Sequence, residues 1–162
     1  MIGCHFVDMI LQSTGYNELA SVDDMGITVT SYPYIPKGKY IVFHNTGGSI
    51  GQMKCMSMEN SEKLVTMLRD AGIWSVQIGV KREPYIKGSV DMRGILDLSQ
   101  TAYLLQKSNG YVGVEGGMAH IARSVGIKSV IYFGNTLECT YGYKENTNMS
   151  THACRPCYWR SM

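Results

Sequence analysis

The chain has 162 residues, 44% of them hydrophobic, and fifteen basic against thirteen acidic side chains leave a formal net charge of +2. That length supports one domain with a real core and is too short for two full ones. The near-neutral balance argues against nucleic-acid and membrane-surface partners, and no apolar run approaches the length of a membrane span. Five cysteines, an odd number, with eleven methionines point to a reduced, cytoplasmic protein rather than a secreted disulfide frame. The N-terminus lacks a basic start and Asp8 interrupts its short apolar run, so no signal peptide is expected.

In chain order, Phe6, Val7, Ile10 and Leu11 fall at helical spacing between Cys4 and Gly15, which predicts one short helix. Asn17 to Lys39 reads as a connection containing Pro33 and Pro36, with a short strand at Ile27-Thr28-Val29-Thr30. From Tyr40 the rhythm changes. Tyr40-Ile41-Val42-Phe43-His44 is a β-rich run that leads into Asn45-Thr46-Gly47-Gly48-Ser49-Ile50-Gly51. Ser57 caps a helix with Glu59 in its first turn, Leu64, Val65, Leu68 and Ala71 on one face and Gly72 at its end. Trp74 to Gly79 is the next strand, and Asp91-Met92-Arg93-Gly94 is too short to assign. Asp97, with Gln100 three residues on, starts a helix through Leu98, Ala102 and Leu105.

Tyr111-Val112-Gly113-Val114 is a buried strand that ends at Glu115 and turns through Gly116 and Gly117 into a helix. Met118, Ile121, Ala122 and Val125 form that helix's apolar stripe, Gly126 stops it, and Ser129 to Gly134 supplies another strand. The alternation predicts an α/β fold, a Rossmann-like open parallel sheet with helices on both faces. The chain divides into residues 1–39 (helix and linker), 40–138 (the Rossmann-like domain) and 139–162 (a polar, aromatic tail).

Both glycine turns follow strands, so both belong at the carboxyl edge of the sheet, where ligands bind. Glycines allow close approach, and a helix start offers free N–H groups and partial positive charge, so a phosphate is the natural guest. Lys54 reaches a diphosphate as a flexible point charge. The first turn is neither a Walker loop nor a G-x-G-x-x-G fingerprint. Read alone, each turn is equally a plain tight turn; together with Lys54 they favour a phosphate site. Glu115 either accepts hydrogen bonds from sugar hydroxyls or caps the following helix, and His120 either faces the same cleft or packs as a bystander. Asp91 and Arg93 either line the ligand edge or pair with each other. Cys154 and Cys157 make one C-x-x-C knuckle, half of a metal site that Cys139 and His152 could complete, or two ordinary reduced cysteines.

From about Tyr40 to Trp159 the chain resembles the donor-binding half of the ADP-heptose:lipopolysaccharide heptosyltransferases of glycosyltransferase family 9. Val114-Glu115-Gly116-Gly117-Met118-Ala119-His120-Ile121-Ala122 is similar to that family's acid–small–Gly–x–x–His–hydrophobic–Ala signature. His44-Asn45-Thr46-Gly47-Gly48 with Lys54 resembles its first loop and phosphate-contacting lysine, and Gly134-Asn135-Thr136 its Phe-Gly-x-Thr turn. Glu115 and Gly116 stand where the family usually has Asp and Ser or Thr. The resemblance implies the C-terminal half of a GT-B enzyme of lipopolysaccharide biosynthesis type. It implies that Thr46, Gly47, Gly48, Lys54, Glu115, Gly116, Gly117 and Met118 hold a nucleotide-diphosphate sugar such as ADP-heptose. Glu115 and His120 would orient the sugar or steady the departing charge, for transfer to a saccharide or protein acceptor. No cofactor is required, although Cys154 and Cys157 resemble a knuckle that holds iron in some related protein heptosyltransferases, and iron or zinc is the expected metal. The acceptor domain and catalytic base are not recognisable here, so the resemblance also implies a partner acceptor domain or self-association. Two alternatives stay open: a truncated, non-catalytic sugar-nucleotide-binding or interaction domain, and half of a sugar-nucleotide epimerase or hydrolase.

Overall fold

β-branched and aromatic residues make Tyr40–His44 the central strand, β1. The computed structural model describes residues 26–47 and 54–150. Beyond β1 come α1 (Met58–Asp70), β2 (Trp74–Gln77), β3 (Val90–Asp91), α2 (Leu98–Lys107) and β4 (Tyr111–Val114). These are followed by α3 (Gly117–Ser124), β5 (Ser129–Phe133), α4 (Glu138–Tyr141) and β6 (Thr147–Ser150). The strands form one six-stranded sheet in the order β3-β2-β1-β4-β5-β6, and every pairing is parallel. The order reverses between β1 and β4, and a crevice opens there at the carboxyl ends of the strands.

Side chains that alternate along β1 feed two cores. Tyr40 and Val42 join Val76, Leu104, Leu105, Tyr111, Ala122 and Ile131 on the face covered by α2 and α3. Phe43 points the other way and packs with Val65 of α1 and Ile86. Helices therefore lie on both faces, and burying each Leu or Phe of these layers stabilises by about 1.5–3 kcal/mol. Tyr40 also donates its hydroxyl to the Leu104 carbonyl at 2.9 Å, which ties β1 to α2.

The expected caps are present. Ser57 accepts from the Asn60 N–H at the start of α1, and Gly72 beyond its end takes a φ of +75°. Asp97 and Gln100 form a capping box on α2. Three differences from the sequence reading stand out. Residues 27–30 form no strand: Thr28, Val29 and Thr30 are exposed, and the Thr30 N–H donates to the Ser99 carbonyl of a helix at 3.2 Å. The segment read as a polar, aromatic tail from residue 139 instead carries most of α4 and a sixth strand. β6 escapes sequence reading because it sits at the described edge of the sheet with the polar sequence Thr-Asn-Met-Ser. Asp91 belongs to β3, a strand of two residues. The helix expected between Cys4 and Gly15 lies outside the described residues.

Candidate functional site

The carboxyl ends of β2, β1 and β4 enclose an open cleft of about 360 Å³, a size suited to a small ligand. Its apolar wall comes from Ile78, Val80, Met92, Leu96, Val114 and Met118. His44, Thr46 and Glu83 supply polar groups, and Gly116 and Gly117 bring the start of α3 to the edge. Gly116 at the N-cap of α3 supplies no side-chain cap, and among the described residues the Ala119 N–H turns back to the Gly116 carbonyl, so the Gly117 and Met118 N–H groups are the ones a ligand could use. A Cβ placed on Gly116 or Gly117 would meet nothing within 4 Å; the space above the helix start is open.

Beside that helix start lies a charged trio. Lys54 Nζ sits 2.5 Å from Glu115 Oε2, and the Thr136 hydroxyl donates to the same oxygen at 3.0 Å. The Lys54 and Glu115 side chains are 17% and 11% exposed, so solvent screens the pair little. Asn45, at the end of β1, positions this lysine. Its amide donates to the Met56 carbonyl at 2.8 Å and to Ser61 Oγ at 2.7 Å, and its carbonyl oxygen accepts from the Met56 N–H at 2.7 Å. These bonds clamp the two ends of the loop after β1 and hold Lys54 against Glu115.

Glu83 is the carboxylate that lines the cleft itself. Glu83 Oε2 stands 3.3 Å from His44 Nε2, close enough for an ion pair, yet it has no aligned hydrogen-bond partner. Burial pushes the Glu83 carboxyl up, but the His44 and Thr46 side chains, the His44 charge and the Val80 backbone outweigh it, so Glu83 titrates below the usual range. The Thr46 hydroxyl lies 3.0 Å from the same His44 nitrogen. Gly79 makes room for the acid: a Cβ there would fall 1.9 Å from Glu83 Oε2, and its φ of +132° is one that side-chain-bearing residues rarely adopt. The loop that carries Glu83 is pinned from β2 and β3. Gln77 donates to the Pro84 carbonyl and accepts from the Ile86 N–H, both at 2.8 Å. Arg93 donates to the Glu83 carbonyl and grips Asp91 with two bonds, at 2.8 and 2.9 Å. Hydrogen bonds from Arg93 hold the Asp91 carboxyl far below the usual range.

The structure thus places Thr46, Gly47, Gly116, Gly117 and Met118 on the cleft, with the Lys54–Glu115 pair beside that lining, while Gly48 lies outside the described residues. His120 does not line the cleft. Its Nδ1 is 2.5 Å from the Tyr143 hydroxyl, which burial pushes up against the opposing Arg123 charge. Asp91 and Arg93 pair with each other and brace a loop. Sequence reasoning missed Glu83 and the clamping role of Asn45, since only tertiary contacts single them out. Cys154 and Cys157 lie outside the described residues, as does His152, and Cys139 is exposed. Among the described residues no group of three or more His, Cys, Asp or Glu side chains converges on a metal-sized point. Nor is any described helix long and apolar enough to cross a membrane.

An open, all-parallel sheet with helices on both faces and a glycine-started helix at its switch point defines a Rossmann-like domain. Residues 12–160 match glycosyltransferase family 9 (heptosyltransferase), and the chain belongs to that family. The fold is that of solved members. A family 9 glycosyl transferase from Veillonella parvula is 15% identical with a TM-score of 0.70, over 91% of this chain and 50% of that one. The iron-containing dodecameric glycosyltransferase TibC from enterotoxigenic E. coli is 19% identical with a TM-score of 0.69, over 82% and 38%. The E. coli heptosyltransferase WaaC, solved with ADP, is 19% identical with a TM-score of 0.60, over 73% and 40%. TibC has also been solved in complex with ADP-D-beta-D-heptose. The chain spans half or less of the length of these structures. No curated protein sequence matches it.

Proposed function

We propose that this chain is the donor-binding part of a heptosyltransferase-type glycosyltransferase and that its cleft takes a nucleoside-diphosphate sugar of the ADP-heptose type. The observation that carries the reading is the uncapped, open start of α3 beside Lys54, at the point where the strand order reverses. In this reading the apolar wall receives the nucleobase, and Glu83, an acceptor-only group, takes hydrogen bonds from nucleoside donors such as ribose hydroxyls. Thr46, Gly47, Gly48, Lys54 and the Gly116–Gly117–Met118 turn hold the diphosphate, and Glu115 reads sugar hydroxyls. His120, its ring fixed by Tyr143 one turn into α3, supports the helix start rather than touching the reacting atoms.

Transfer builds negative charge on the leaving diphosphate. Preorganised N–H groups and a lysine there stabilise the transition state more than the ground state. Activation of the acceptor hydroxyl also needs a general base. Glu115 is a poor one while Lys54 and Thr136 hold it, so we assign the base and the saccharide or protein acceptor to a second domain or partner chain. No step depends on metal at Cys154 and Cys157.

Calorimetric titration of ADP, ADP-heptose, UDP and GDP tests the reading. Selective ADP-type binding that Lys54→Ala weakens is the expected result. Absence of binding by a folded protein would overturn it and leave a non-catalytic interaction domain.

A further inference from the structure

The Lys54–Glu115 contact has a consequence for which ligands the site retains. A lysine meant for a diphosphate works best when its charge is uncompensated, yet here Nζ lies 2.5 Å from a carboxylate oxygen, and both side chains are largely buried. Thr136 donates to the same oxygen, so Glu115 is held in place to meet Lys54. Glu83, in the neighbouring cleft lining, adds a further negative charge beside His44 and Thr46. An anion entering such a site must first compete with Glu115 for the lysine and then sit near the acid it has displaced. Charge-assisted bonds of this kind are strong enough to decide affinity.

We propose that Glu115 is a specificity-determining residue that sets the site against bare nucleoside diphosphates and in favour of sugar-bearing ones. The proposal rests on the sugar-nucleotide reading of the cleft. When a sugar diphosphate enters, Lys54 passes from Glu115 to the diphosphate while sugar hydroxyls donate to the carboxylate that Lys54 has left. Both charges are satisfied again. A bare diphosphate offers no hydroxyl at that place, so Glu115 keeps Thr136 but loses its cation and stands beside added negative charge. The pair therefore resists occupation by the spent nucleotide after transfer.

The test measures ADP and ADP-heptose binding to wild type, Glu115→Gln, Lys54→Ala and the double variant. It is run alongside acylation of Lys54 by an N-hydroxysuccinimide ester in the ligand-free protein. Glu115→Gln is expected to bind ADP about tenfold more tightly and ADP-heptose no more tightly, which narrows the preference. Its Lys54 should acylate faster, because no carboxylate holds the amine. Adding Glu115→Gln to Lys54→Ala should recover part of the ADP affinity that Lys54→Ala loses. Glu115→Ser serves in place of the glutamine variant should the latter not fold. Unchanged or weaker ADP binding by folded Glu115→Gln, with wild type still binding ADP-heptose, would overturn this proposal and spare the donor-site reading. No nucleotide binding by any folded variant would overturn both, whatever the acylation rates.

Discussion

Glu115 and Glu83 are two carboxylates of similar exposure, 11% and 15%, at one edge of one sheet, and the molecule uses them differently. Glu115 ends a central strand and is engaged by a lysine and a threonine. Glu83 rides a loop after β2, faces a histidine, and keeps one buried oxygen with no aligned hydrogen-bond partner. The difference lies in what each can offer an incoming molecule. The first must exchange partners; the second already has acceptor capacity to give. A donor lying across the cleft is thus held by an exchange at one end and a simple addition at the other.

Removing the cation should break this contrast most sharply. Lys54→Ala takes away a phosphate contact and strands Glu115, so nucleoside-diphosphate affinity should fall by about a hundredfold in calorimetry. Gly79→Ala attacks the other end, because its Cβ needs the space of the Glu83 carboxylate and a backbone conformation strained by about 1–3 kcal/mol. Lower stability in urea and nucleotide affinity reduced by about tenfold are expected together. Asn45→Ala leaves the part-buried Met56 N–H without its acceptor at a cost of about 1 kcal/mol. It should loosen Lys54, so ADP binding weakens while the Glu83 side of the cleft is undisturbed. A smaller, pH-dependent effect belongs to the loop brace. Asp91 and Glu83 both titrate below their ordinary range when folded, so the folded protein binds fewer protons than the unfolded chain. Their stabilisation is full above the ordinary carboxylate values and is lost as pH falls through the depressed ones. Asp91→Asn should therefore flatten the stability profile below about pH 4 in denaturant titrations.

The two ends also differ in how plainly they could be read from residues alone. Glu115 announces itself because a four-residue apolar strand runs straight into an acid, two glycines and a helical stripe. That local order is enough to place it at the switch point. Glu83 sits in Lys81-Arg82-Glu83-Pro84, a charged loop with no periodicity, and only Gln77 and Arg93 folding back on it bring the acid to the cleft. Asn45 is equally silent, since its clamp joins residues eleven apart across a loop. Strands β1, β4 and β5 were legible for the reason Glu115 was: two-sided burial writes a mostly apolar run, whereas β2 mixes Ser75 and Gln77 into its buried residues. β6, at the described edge, has no such need and carries polar residues, whereas the β-branched stretch at 27–30 suggested a strand that pairs with none among the described residues.

The shortness of β3 has a bearing on how copies of this protein meet. With two residues in the ladder and Gly94 soon after, its outer rim has room for barely one pair of backbone bonds. A foreign strand laid along that rim finds too few rungs to hold, and colloidal growth by sheet extension is discouraged from this side.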